Sequence, residues 1–290
     1  MKVAITGASG LFGHGLAHVF GSRHIVYPLA HEDVEITNAE QVREVIGRLR
    51  PDVVIHAAAI RDPDAAELNP AQAHLVNFHG TRNVAEAARE VSARLVYIST
   101  DAVFDGKKRS PYTESDPTIP ASVYGRTKLR AEQWVRATPE SWAFRVSVLF
   151  GPENEGEPGQ GKRENFVRKG LRRIAAGEEY VVAADQVGSA TYTLDAAEKI
   201  MEVVESRRYG LYHLSNSGAC TRLELARRAA VLAGLDPGKV VGKPIAEMER
   251  PGPRLQYAVM AMDALQQAGF ALPRSWQDAL ADYCRLPIAD

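Results

Sequence analysis

The chain has 290 residues, 45% of them apolar and 24% charged, a globular composition far from the low-hydrophobicity, high-charge regime of disorder. A formal net charge of -1 offers no global attraction to nucleic acid or an anionic membrane, and no run of about 18 apolar residues is present to span one. Two cysteines, Cys220 and Cys284, lack metal-ligand spacing, and the chain opens on an apolar strand pattern rather than a secretory signal, so a cytoplasmic protein with inert thiols is expected.

Lys2 to Thr6 reads as a strand, followed at once by Gly7-Ala8-Ser9-Gly10-Leu11-Phe12-Gly13 and a helix from Phe12 to Phe20. Glycines in a strand-turn-helix context permit a tight turn and close backbone approach to a pyrophosphate, whose charge the helix N-terminus favours. Gly7, Ser9, Gly10, Leu11, Phe12 and Gly13 are therefore candidate dinucleotide contacts, with a ligand-free glycine turn as the alternative. The second strand, Ile25 to Leu29, runs into Ala30-His31-Glu32-Asp33. An acid there favours NAD through the ribose hydroxyl and a base favours NADP through its 2′-phosphate. This stretch holds both, so the cofactor is NADP or NAD, with His31 tilting the choice to NADP.

A helix (Ala39 to Leu49) and Pro51 lead to a third strand, Val53 to Ala57. Just beyond it lie Arg61, Asp62 and Asp64; Arg61 could grip a phosphate or carboxylate, or form an ordinary surface pair. A helical pattern from Ala71 to Val91 precedes the strand Leu95 to Ser99, which places Thr100 and Asp101 at its C-terminal edge, where open α/β sheets bind ligands. Tyr124 and Lys128 then share one face of a helix running to Arg136. An ammonium beside a phenol lowers its pKa, so the pair could exchange a proton with a carbonyl or alcohol while a nicotinamide moves hydride, with Thr100 bonding the reacting oxygen. An exposed aromatic beside a solvated amine is the bland alternative. Ala143 to Val148 completes the strands of the first half.

Gly151 to Arg163 is rich in breakers and reads as a mobile loop. Helices from Asn165 to Ala176, Leu194 to Glu205 and Arg222 to Ala233 alternate with strands at Tyr180 to Ala183 and Gly210 to Leu214; Glu249 to Leu255 reads as a loop, and a last helix starts near Ser275. Lys162, Arg163 and Arg254 are candidate bases for a diphosphate. The alternation predicts an α/β fold: a Rossmann-type doubly wound parallel sheet with a smaller C-terminal substrate lobe. Residues 1–150 would form mainly the dinucleotide-binding domain and 151–290 mainly the substrate lobe, with crossings back to the main domain.

Several stretches carry a resemblance beyond these patterns: Gly7 to Gly13, His56-Ala57-Ala58-Ala59, Asp64-Ala65-Ala66-Glu67 with Pro70, Val76-Asn77, Ser99-Thr100-Asp101-Ala102-Val103-Phe104-Asp105-Gly106, Pro120 to Lys128, Asp185 to Ser189, and Gly210 to Ser215. Together they resemble the extended short-chain dehydrogenase/reductases, and among them the dTDP-4-dehydrorhamnose reductase-like type, over nearly the whole chain. The resemblance implies a catalytic set of Thr100, Tyr124 and Lys128, nucleotide contacts from Ala57, Ala58 and Ala59, and adenine-side contacts from Glu35 and Ile36. It further implies hydride delivery to a 4-keto sugar attached to a nucleoside diphosphate, with the tyrosine supplying a proton.

The chain departs from that pattern at Ala102, where the family commonly has tyrosine, and at Val148, where it has tryptophan. Aromatic surface for a deoxysugar is thereby removed. Gly15 replaces an acid of a magnesium-linked dimer contact and Ala190 a proline, so no metal is expected. Arg61, Asp101, Ala102, Val148 and Arg254 are the substrate-side candidates. A nucleotide-sugar is the expected small-molecule partner, with a homodimer open and neither nucleic acid nor membrane. A sugar-nucleotide epimerase or dehydratase, and a non-catalytic NADP-binding subunit resembling the regulatory β subunit of methionine adenosyltransferase, are the alternatives.

Overall fold

The computed structural model describes residues 1–153 and 165–286. Most of the breaker-rich segment after Gly151, with Lys162 and Arg163, lies outside the described residues. Strands β1 (Lys2–Thr6), β2 (Ile25–Leu29), β3 (Val53–His56), β4 (Arg94–Thr100) and β5 (Ser141–Val146) alternate with helices α1 (Leu11–Gly21), α2 (Ala39–Leu49), α3 (Pro63–Leu68), α4 (Pro70–His74), α5 (Thr81–Glu90) and α6 (Val123–Arg136). A second series follows: β6 (Leu149–Phe150), α7 (Phe166–Ala175), β7 (Tyr180–Ala183), β8 (Val187–Gly188), β9 (Thr191–Tyr192), α8 (Thr193–Ser206), β10 (Gly210–Leu214), β11 (Cys220–Thr221), α9 (Arg222–Leu232), β12 (Val240–Lys243), β13 (Tyr257–Ala258), α10 (Asp263–Gln267) and α11 (Trp276–Cys284).

The main sheet has six parallel strands in the order β10-β5-β4-β3-β1-β2. Period-2 alternation divides its side chains between two apolar layers. Val3, Ile5, Val96 and Trp142 pack with Leu16 and Phe20 of α1 and Ile200 and Val204 of α8. On the other face Ala4, Val54, Leu95 and Tyr97 meet Val42 and Ile46 of α2, Val84 of α5 and Val135 of α6. A separate cluster of Phe150, Leu171, Tyr192, Leu225, Trp276 and Tyr283 forms the core of the smaller layer.

The helix expected from Ala71 to Val91 is broken. Residues Leu75–Gly80 are π-helical, and this wider turn carries the buried Asn77 inward, where its amide accepts from the Ile60 N–H at 2.8 Å and donates to the Ile60 carbonyl and the Thr127 hydroxyl. Insertion of a residue into a helical turn is a recurrent way of aiming a side chain at a site. The unexpected α3 starts on Pro63, with Asp62 accepting from the Asp64 N–H as its N-cap. β5 ends at Val146, so Val148 stands outside the strand with φ 29°, strained backbone for a β-branched residue.

A buried ion pair ties α6 to β5. Glu132 accepts from Arg145 at 2.6 and 2.9 Å and from the Ser99 hydroxyl at 2.6 Å, while Arg145 lies 3.3 Å from His213. Both charges are almost wholly excluded from water, so each needs the other to offset its desolvation. Burial and the Arg145 charge push His213 down to about 3; burial and the Lys128 charge do the same to His56, which sits between the hydroxyls of Thr6 and Thr81. Both imidazoles stay neutral in the folded chain but take a proton on unfolding below pH 6.5. Their stabilisation is therefore complete above 6.5 and is lost as pH falls towards 3, by up to about 1.4 kcal/mol per pH unit for each. Urea unfolding at pH 7 and pH 5 checks this, and replacing His213 with Asn is expected to flatten the acid loss.

Candidate active site

Among the described residues, the catalytic, cofactor-side and substrate-side candidates from the sequence all line one cavity of about 810 Å³ along the C-terminal edge of the main sheet. At one end is the glycine turn. Gly7 has φ 72°, and a Cβ there would lie 2.7 Å from the Ala58 backbone. A Cβ on Gly13 would lie 2.0 Å from the Gly7 carbonyl oxygen. The missing side chains let α1 press against the turn and let β3's exit run alongside it. Gly10 caps α1 with no side-chain hydrogen bond, and the first turn of α1 holds no acid, so its backbone N–H groups face the cavity without a competing carboxylate.

His31, Glu35 and Ile36 line the same end, with the His31 imidazole 3.5 Å from the Glu35 carboxylate. Burial raises Glu35, but hydrogen bonds from the Thr37 N–H and hydroxyl, with the His31 charge, hold it below the usual carboxylate range. Asp33 is occupied locally, accepting from the Ala30 N–H at 2.8 Å. Ala57, Ala58, Ala59 and the exposed Arg61 continue the wall beyond β3.

Thr100, Tyr124 and Lys128 meet in the middle of the cavity. Lys128 is buried, its ammonium donating to the Ile98 carbonyl at 2.6 Å and lying 4.2 Å from the centre of the Tyr97 ring. Burial pulls it down to about 7, against the raising effect of Glu132. Tyr124 is partly buried rather than an exposed aromatic. Burial and the Asp101 charge push its phenol up to about 12, over the opposing pull of the Thr100 hydroxyl and Arg61. The expected lowering of the phenol by Lys128 is thus not what the geometry produces: desolvation dominates, and Tyr124 keeps its proton at neutral pH.

Asp101, next to Thr100, accepts from the Thr100 hydroxyl at 3.0 Å and from Ser147 at 2.5 Å, and burial raises it. Ala102 and Val148 flank it. Arg254 lines the cavity from the far segment, its guanidinium clamped by two hydrogen bonds of 2.8 and 3.1 Å to Asp64, which also accepts from the Gly252 N–H. Sequence reasoning passed over Ser147, Gln186 and Arg222, which also line the cavity. Ser147 directly follows the end of β5, as Thr100 closes β4, and the same edge rule would have found it. Gln186, just before β8, and Arg222, at the start of α9, carry no such signal. Among the described residues, no group of three or more His, Cys, Asp or Glu side chains could hold a metal ion.

The sheet order, the glycine turn at its switch point and the Tyr124–Lys128 helix define a Rossmann-type protein of the extended short-chain dehydrogenase/reductase class. Residues 1–286 match the model of the RmlD substrate binding domain family, and the chain belongs to that family. It is 37% identical over 286 residues to a dTDP-4-dehydrorhamnose reductase of Mycolicibacterium smegmatis, covering 97% of this chain and 84% of that protein. It is 36% identical to a probable dTDP-4,6-dihydroxy-2-methyloxan-3-one 4-ketoreductase of Streptomyces antibioticus, covering 97% and 94%. The solved structure of dTDP-4-dehydrorhamnose reductase from Bacillus anthracis in complex with NADP is similar at TM-score 0.91 and 33% identity, over 97% of this chain and 98% of that one.

The closest packing in the turn yields a direct test. Gly13→Ala is expected to force α1 away from Gly7 and to destabilise the chain by at least about 1–3 kcal/mol, read as a lowered urea midpoint; an unchanged midpoint would refute the packing described.

Proposed function

We propose that the chain is an NADPH-dependent reductase of a nucleotide-linked 4-keto sugar. The observation that carries this reading is the placement of the Thr100–Tyr124–Lys128 set in one continuous cavity with the glycine turn. The turn fits a dinucleotide, because its bare glycines and uncapped helix start are what a pyrophosphate needs. Gly7 to Gly13 would hold the pyrophosphate, His31, Glu35 and Ile36 the adenosine side, and Lys128 the nicotinamide ribose. The cofactor, when bound, supplies a hydride to the keto carbon.

The chain supplies the rest. On substrate binding the Thr100 hydroxyl exchanges its Asp101 acceptor for the keto oxygen, which it orients, and Tyr124 gives that oxygen its proton. Hydride on carbon and proton on oxygen convert the ketone to an alcohol, leaving a phenolate that regains a proton from solvent. A phenol kept protonated by burial suits this direction of reaction, since it must act first as an acid. The buried ammonium of Lys128 stabilises the phenolate that forms. Arg61 and Asp101 border the space left for the sugar, with Ala102 and Val148 as its apolar wall.

The proposal extends to a cytoplasmic homodimer. The free cysteines Cys220 and Cys284 support the location, and the exposed apolar Leu68, Leu75 and Trp134 support self-association; sedimentation of the purified chain measures its oligomeric state.

Tyr124→Phe is expected to lower kcat by roughly 100- to 10,000-fold while NADPH still binds. Background-level NADPH oxidation by the unaltered protein across a panel of nucleotide-linked 4-keto sugars would overturn the reading. A pH dependence also follows. An anionic cofactor beside Lys128 favours its charged form, so binding takes up a proton once pH rises through about 7. NADPH affinity should weaken above that pH, by up to about tenfold per unit, and titration calorimetry in buffers of different ionisation enthalpy checks the uptake. Lys128→Met should abolish it.

A further inference from the structure

Arg222 is a charged cavity residue to which the roles above give no task. It opens α9, with its backbone N–H fixed on the Gln186 carbonyl at 3.1 Å and the preceding β11 paired to β8. Its guanidinium lies against the Phe166 ring, 5.1 Å from the centroid. Among the described residues that guanidinium makes no hydrogen bond or ion pair, although it is only partly exposed. Guanidinium donors without a protein acceptor are open to a ligand that supplies one.

Asp101 faces it across a recess. Besides lining the main cavity, the two side chains border a small space of about 20 Å³, shared with Ser147, Gln186 and Val148. Such a volume accepts one oxygen-sized group, since a water needs at least about 10–15 Å³. A phosphate is too large. A carboxylate would set its charge against that of Asp101. A hydroxyl fits both walls, because it donates to the carboxylate and accepts from the guanidinium at once. Asp101 adjoins Thr100, so the hydroxyl belongs to the same sugar ring as the keto group.

We propose that Asp101 and Arg222 together hold a ring hydroxyl of the keto-sugar, and that Arg222 makes the chain selective for hydroxylated over deoxygenated rings. This rests on the reductase reading given above. A site built to bond a hydroxyl rejects the analogue lacking it far more strongly than an apolar pocket rejects a missing methylene, because its polar groups are left unpaired.

The experiment compares a dTDP-4-keto-6-deoxy-hexose with its 2-deoxy and 3-deoxy counterparts, in the unaltered protein and in Arg222→Met. One deoxy compound is expected to lose at least about 100-fold in kcat/KM, and Arg222→Met to shrink that ratio below about tenfold, mainly through the hydroxylated substrate. Calorimetry of the corresponding dTDP-linked alcohols measures the same discrimination without turnover, and an unchanged NADP affinity in Arg222→Met establishes that the variant is folded. Discrimination in binding with no turnover would sink the reductase reading alone. Turnover or binding of all three sugars within about fivefold, or a ratio that Arg222→Met leaves intact, overturns the inference, as does failure of every sugar to bind.

Discussion

Parallel pairing along β2-β1-β3-β4-β5 is the constraint from which the site follows. Because these strands run the same way, each one ends at the same rim, and the segments leaving β1, β2, β3, β4 and β5 open on one trough. Residues as distant in sequence as Gly7, His31, Ala58, Thr100 and Ser147 become neighbours without any one of them having to seek the others. The reversal of strand order opens a crevice at the ends of the adjacent strands β1 and β3, and the short glycine turn keeps it narrow enough for backbone contact.

Within the trough, removal of water does more than pairwise charge. It is the leading influence on Tyr124, Lys128 and Asp101 alike, raising the two acids and lowering the base. Each of the three is thereby moved towards its neutral form. The fully compensated charge lies one layer deeper, where Glu132 and Arg145 face each other behind Ser99.

Much of this arrangement was legible because local chemistry and global fold agree. Strands β1 and β2 and helix α2 have the limits their patterns suggest, with Asn38 capping α2 through the N–H groups of Glu40 and Gln41. The Thr100 edge and the Tyr124–Lys128 face follow from period and position alone. What escaped reading depends on contacts across the fold. Asn77 distorts its helix because Ile60 and Thr127 hold its amide, and no spacing in the sequence announces those partners. Asp62 was visible as a charge, but its work is to cap α3. Arg222 lies beyond a run of short strands whose pairings bring it back to the rim. The phenol's rise was missed because the depth of Tyr124 is a property of the packed structure rather than of its helix.

The clasp between Asp64 and Arg254 joins residues 190 positions apart, whereas the glycine turn and the Tyr124–Lys128 helix sit wholly in the first half of the chain. The nucleotide end of the trough is thus encoded early in the chain, while the sugar end draws on early residues such as Arg61 and Asp101 as well as late ones such as Arg222 and Arg254. Late changes near Arg222 or Arg254 can reshape the sugar end while the nucleotide end stays intact. Changes in the last third alter only the late part of that wall, and the Asp64–Arg254 clasp holds it to the early part.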